Sequence, residues 1–221
     1  MVDIFDEVEE ELRAERAQQL LKRYGGVILA AAVAIVGIAA GWQGWRWYEA
    51  RQDQAAAVQF LTAMSLADAT VAGGSEASRA AGTAAFAQLA AKAPQGYAVL
   101  AKLREAALKA EAGDLQGAAA LWDQVAGDSS ADPLLRDLAT LLWAQHAIDK
   151  ADPSMLEARL RALAMPDNPW RPLAEEQLAL LDLRQGKADQ AKTTLRHLAE
   201  DTTAPSGVRG RASALLGRMG G

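Results

Sequence analysis

The chain has 221 residues with 23 lysines and arginines against 28 aspartates and glutamates, a formal charge of −5, and no cysteine. The missing cysteines exclude disulfides, thiolate metal sites and cysteine nucleophiles. Residues 1–24 hold four basic and seven acidic groups, leaving 19 basic and 21 acidic beyond. Neither part offers the basic surface that nucleic acid requires.

Residues 1–24 read as a short amphipathic helix. Ile4, Phe5, Val8 and Leu12 recur at helical spacing among acidic residues, and Glu9 and Arg13 are spaced for an i,i+4 pair. Such a helix is marginal alone, and it either docks on a partner, lies against lipid, or stays solvated.

Residues 25–45, GGVILAAAVAIVGIAAGWQGW, carry no charge. At helical rise this run reaches roughly 31 Å, the thickness of a bilayer's hydrocarbon core. Its seven Val, Ile and Leu residues contribute about −2 to −4 kcal/mol to insertion. A cleaved signal has a basic start, a shorter apolar stretch and small residues at its end. Here the start is acidic and bulky Trp42, Trp45, Trp47 and Tyr48 follow. The expectation is therefore an uncleaved transmembrane helix rather than a signal or a buried core helix. Arg13, Arg16, Lys22 and Arg23 precede the run, whereas only Arg46 and Arg51 follow it before Arg79. That bias places the N-terminus in the cytoplasm. Tyr24 on one edge and Trp42, Trp45, Trp47 and Tyr48 on the other are candidate interfacial anchors. Gly37 and Gly41 form a G-x-x-x-G pair, a candidate contact for another membrane helix.

From residue 46 to 221 the pattern is helix after helix, punctuated by glycine and proline with no strand alternation. Helices are predicted near 46–70, 76–93, 97–112, 115–126, 133–149, 154–164, 170–185, 188–200 and 206–217. The first is predicted to continue directly from the apolar run, because nothing between Trp45 and Ala57 breaks it. Aligning AALKAEAGDLQGAAALWDQVAG with LALLDLRQGKADQAKTTLRHLAE superimposes Gly113 on Gly186, Ala106 on Ala179, Ala118 on Ala191 and Trp122 on Leu195. This layout resembles the tetratricopeptide repeat, whose small residues let two helices approach and whose larger residue fills the space between repeats. Phe86, with Leu89 and Pro94, resembles the second helix of an earlier repeat. Residues 133–164 read as a degenerate one, without a glycine turn. Lys102 and Lys109 depart from the motif, which often has aromatic residues there. The expected architecture is all-α: a single transmembrane helix followed by a tetratricopeptide-like α-solenoid.

The opening DIFDEVEEELRAERAQQLLKRYG, the single span ending in tryptophans and the alanine-rich degenerate repeats together resemble the YfgM-like ancillary subunit of the SecYEG translocon. The resemblance implies an inner-membrane protein with its repeats in the periplasm. It implies partners too, the Sec translocon and a membrane-anchored periplasmic chaperone of the prolyl-isomerase-like type, in the handover of exported proteins. It carries no catalytic residue. A scaffold for another envelope assembly, serving wall synthesis or division, would share every feature read from the residues themselves.

Chemistry is sparse. His146 and His197 are the only histidines, 51 residues apart, and neither has ligand-spaced neighbours. Asp149 and Asp152 read as turn or cap residues before Pro153. The pairs Gly25–Gly26 and Gly73–Gly74 lack the strand and spacing of a phosphate loop. No enzyme, metal or cofactor is expected. Repeat arrays bind along the concave face of their first helices, which points to Lys102, Arg104, Glu105 and Lys109, or Glu175, Glu176 and Arg184, as contacts for an extended peptide.

Overall fold

The computed structural model describes residues 4–68 and 76–220, with side chains for 22–27, 29–68 and 76–220. Among these residues there are nine helices and no strand: α1 Ile4–Asp68, α2 Glu76–Lys92, α3 Gln95–Glu111, α4 Leu115–Gly127, α5 Pro133–Ala147, α6 Pro153–Leu163, α7 Arg171–Arg184, α8 Ala188–Glu200 and α9 Ser206–Arg218. From residue 76 onward every predicted boundary agrees within two residues. Glycine and proline carry that agreement, because each stops a helix by backbone geometry alone. α1 runs unbroken from the apolar stretch to Asp68, as the absence of a breaker requires. The side chains of Ile4, Phe5, Val8 and Leu12, and the pair Gly73–Gly74, lie outside the described residues. The chain divides into two compact units, Met1–Gln52 and Asp53–Gly221.

In the first unit the apolar run is bare. Val27, Val33, Ile35, Val36 and Ile38 are all about two-thirds exposed, and none of the most apolar stretch is buried, at a mean hydropathy of 2.1. A core helix of this composition would be covered on every side. By length and composition this helix is able to cross a membrane. Trp42, Trp45, Trp47 and Tyr48 stand exposed near its C-terminal edge and Tyr24 near the other. The Arg51 guanidinium lies 4.3 Å from the Trp47 ring centroid. A methyl group added at Gly37 or Gly41 would meet nothing within 4 Å.

The second unit is built from residues 53–68 of α1 and from α2 to α9. Consecutive helices pack in antiparallel-hairpin succession, and α3, α5, α7 and α9 also touch each other in turn. The helices α2, α4, α6 and α8 make no such skip contacts. The result is an inner row of odd-numbered helices and an outer row of even-numbered ones, the solenoid arrangement. Three apolar clusters run along it. Ala56, Ala63, Ala67, Phe86, Leu89, Ala101 and Leu108 form the first. Trp122, Leu141, Leu156 and Leu160 anchor the second, and Leu195, Leu198 and Val208 the third. Small residues set the spacing: a Cβ at Gly82 would stand 3.2 Å from the Ala67 backbone. Phe60 meets the Phe86 ring edge to face at 5.4 Å.

Two of the three repeat turns among the described residues share one geometry. Gly113 has φ +86° and Gly186 φ +77°. In the first turn the Asp114 N–H donates to the Lys109 carbonyl and the Gly113 N–H to that of Ala110; in the second, Lys187 and Gly186 donate to Asp182 and Leu183 in the same pattern. These are Schellman closures, which require a left-handed residue at the helix end. The middle turn, between α5 and α6, has no glycine. There the Arg184 Nη1 reaches back from α7 and donates to the carbonyls of Ile148 at 2.6 Å and Ala151 at 2.9 Å. Asp114, Asp132 and Asp152 cap α4, α5 and α6, with proline at the first position of the last two.

Candidate binding groove

The inner row carries a groove of about 650 Å³, formed by α5, α7 and α9. From α7 come Leu173, Glu176, Gln177 and Leu180, spaced i, i+3, i+4 and i+7 along one face. From α9 come Arg211, Ala214, Leu215 and Arg218 at the same spacing, and Gln145 of α5 closes the rim. Leu173, Leu180, Ala214 and Leu215 make apolar walls; Gln145, Arg211 and Arg218 supply hydrogen-bond donors at their edges, and Gln177 is buried.

An ion pair holds the two walls in register. The Arg211 Nε and Nη2 donate to the two Glu176 carboxylate oxygens, each at 2.6 Å. The Glu176 side chain is 5% exposed and that of Arg211 is 56% exposed. The buried carboxylate is thus neutralised by a guanidinium whose outer face remains in the groove, and that carboxylate raises the Arg211 pKa above its ordinary value. The arrangement suits an extended polypeptide: apolar side chains against the leucines, backbone or acidic groups against the exposed donors.

The seven charges expected on the concave face separate. Glu176 lines the groove. Arg104 sits 3.7 Å from Asp68 at the other end of the array. Arg184 is spent on the middle turn, a role that only the missing glycine at that turn hinted at. Glu175 lines a cleft between α6, α7 and α8. Glu105 and Lys109 line another between α2 and α3. Lys102 is close enough to Glu105 and Asp128 for its charge to act on both carboxylates. The α9 residues have a signal that sequence reading passed over, since Arg211, Ala214, Leu215 and Arg218 share the spacing of the α7 stripe.

The aligned repeat positions fall where two helices meet. Phe86, Ala106, Ala118, Ala179, Ala191 and Leu195 are fully buried, and Trp122 is 1% exposed. Gly113 and Gly186 occupy the two left-handed turns. His146 stacks on Trp122, ring centroids 4.6 Å apart, with its Nδ1 2.9 Å from the Leu142 carbonyl. His197 lies in the α6–α7–α8 cleft. Asp152 is the α6 cap. No metal-binding cluster of histidine or carboxylate occurs among the described residues.

Residues 18–141 match the family model of the tetratricopeptide repeat-like domain. No curated protein and no solved structure matches the chain. The groove's lining residues lie beyond the matched stretch, where the two-row succession of helices continues. Domains of this kind are protein-interaction scaffolds. With more than half of its 221 residues matched, the chain belongs to the tetratricopeptide repeat-like domain family.

Proposed function

We propose that this is a single-pass inner-membrane protein that acts without catalysis, holding a segment of a partner protein in the groove between α5, α7 and α9. Residues 1–24 stay in the cytoplasm, residues 25–45 cross the bilayer, and residues 46–221 work in the periplasm. Tyr24, Trp42, Trp45, Trp47 and Tyr48 settle at the lipid interfaces, and Gly37 and Gly41 admit a partner's membrane helix. The partners are the Sec translocon and a membrane-anchored periplasmic chaperone, so that exported chains pass from one to the other.

The single observation that carries the binding role is the groove itself, apolar along its walls and rimmed with exposed donors. The partner identity rests on the resemblance of residues 3–25, the span and the repeats to the translocon's ancillary subunit. The experiment is photocrosslinking in native membranes from Leu180 and from Gly37, each replaced by a photoreactive residue. Recovery of translocon or chaperone subunits supports the reading. Recovery of wall-synthesis or division proteins alone assigns the scaffold to another envelope assembly. The chain has no cysteine, so Lys150→Cys gives a single label for topology. Reaction of that thiol only from the cytoplasmic side overturns the orientation.

A further inference from the structure

Away from the groove, α2 and α3 enclose a separate cleft of about 490 Å³. On one side Ala80, Ala84 and Ala87 form a smooth stripe at i, i+4 and i+7; on the other Glu105, Lys109 and Ala112 repeat that spacing. Glu105 is 9% exposed, and its carboxylate has no hydrogen bond or ion pair among the described residues. Of the two lysines near Glu105, Lys109 is engaged, its Nζ 3.0 Å from Asp114 Oδ2, a carboxylate that also caps α4 through Gly117, while Lys102 acts on Glu105 by charge without a hydrogen bond. Buried carboxylates in folded proteins are paired almost without exception, so one left open toward a cleft is a group whose partner comes from elsewhere.

Packing does not call for a carboxylate here. In the aligned repeat the position of Glu105 is taken by Leu178, which lines the corresponding cleft beside α7. A leucine would therefore serve the fold, and the glutamate costs desolvation for no internal contact. The cleft's remaining charges are Glu76 and Arg79, from α2. With Lys109 and Asp114 cancelling each other, the lining carries one net negative charge, with Lys102 acting on Glu105 from outside it.

We propose that this cleft receives an arginine or lysine side chain from a partner protein, its aliphatic stem lying on Ala80, Ala84 and Ala87 and its cationic head pairing with Glu105. The alanine stripe fits an unbranched stem, because it leaves room for methylenes, and the Thr83 hydroxyl beside it donates to the Arg79 carbonyl. An anionic ligand is disfavoured by the same carboxylate. This surface is distinct from the α5–α7–α9 groove, so a partner can hold both at once.

The test uses the full-length chain in lipid nanodiscs and short peptides, otherwise uncharged, that differ only in a central arginine, glutamine or glutamate. The arginine peptide is expected to bind, to crosslink to α2 or α3, and to lose about tenfold or more in affinity with Glu105→Gln. Ala84→Leu, at an exposed position where added bulk leaves the core untouched, is expected to block it independently. Leu180→Ala in the groove and Arg79→Ala leave it in place. Equal binding of the three peptides, retention by both Glu105→Gln and Ala84→Leu, or loss with Arg79→Ala overturns the proposal.

Discussion

The turn between α7 and α8 and the turn between α5 and α6 do the same job by different means. The first closes on itself, with Gly186 in the left-handed region and two backbone hydrogen bonds inside a handful of residues. The second also has local bonds, from the Lys150 and Ala151 N–H groups to the Ala147 carbonyl, but no left-handed glycine, and Arg184 from the next repeat occupies the carbonyls of Ile148 and Ala151. A locally closed hairpin is specified by its own sequence. The middle hairpin has local bonds and adds a tie to its neighbour through Arg184.

The largest blow to this contrast comes where the locally closed first repeat grips the middle one. Trp122 is buried against α5 and stacks on His146, so Trp122→Ala is expected to cost about 3–5 kcal/mol. Urea unfolding of the repeat domain in the full chain would read that loss. A cost under about 1 kcal/mol would mean that the two repeats are energetically separate.

A middle-sized effect separates the two turns themselves. Arg184→Ala removes two charge-assisted hydrogen bonds at a partly solvated site, about 1–2 kcal/mol, while Gly186→Ala forces an alanine into positive φ at about 1–2 kcal/mol. The sizes match but the places differ. Amide exchange is expected to rise around residues 148–152 with Arg184→Ala, in a hairpin the substitution does not touch in sequence. With Gly186→Ala the rise is confined to the α7–α8 turn. Exchange that rises only around residue 184 itself would break the comparison.

The smallest effects are in acid. The Gly117 N–H and the Lys109 ammonium hold the Asp114 carboxyl below its usual range, and the Thr203 hydroxyl and N–H do the same for Asp201. A depressed folded-state pKa gives stability that is complete above the unfolded value, about 3.9, and lost as pH falls through the folded one. Asp114→Asn and Asp201→Asn are each expected to flatten the acid limb of the stability curve. Glu105 has the opposite sign: burial raises its pKa, outweighing Lys109 and Lys102. Its folded form gains stability as pH falls through that raised value toward the unfolded one, about 4.3. Glu105→Gln removes this gain, measurable as a change in the slope of urea midpoint against pH.

Sequence reading reached the helices because their ends are local events: Gly113, Gly186, Pro133 and Pro153 act within one turn of chain. Ala106, Ala118 and Trp122 recur at Ala179, Ala191 and Leu195, and all six are buried. Sequence reading missed most of the groove, since that site depends on polar pairs made between repeats. Those pairs have a regularity of their own. Arg159 meets Asp123 across 36 residues, Asn168 meets Asp137 across 31, Arg171 meets Asp201 across 30 and Arg211 meets Glu176 across 35. Each spacing is about one repeat. A search for opposite charges about one period apart would have named Arg211 as the partner of Glu176, and with it the second wall of the groove.

α9 supplies that wall, yet among the described helices it is braced only by α7 and α8. The element that completes the groove is thus held by fewer neighbours than the helices it faces. A segment seated across α5, α7 and α9 acts as a tie between helices that are otherwise linked in series, so occupancy and mechanical resistance rise together. Tension applied through residues beyond Arg218 would loosen the wall and the grip on the ligand in one motion.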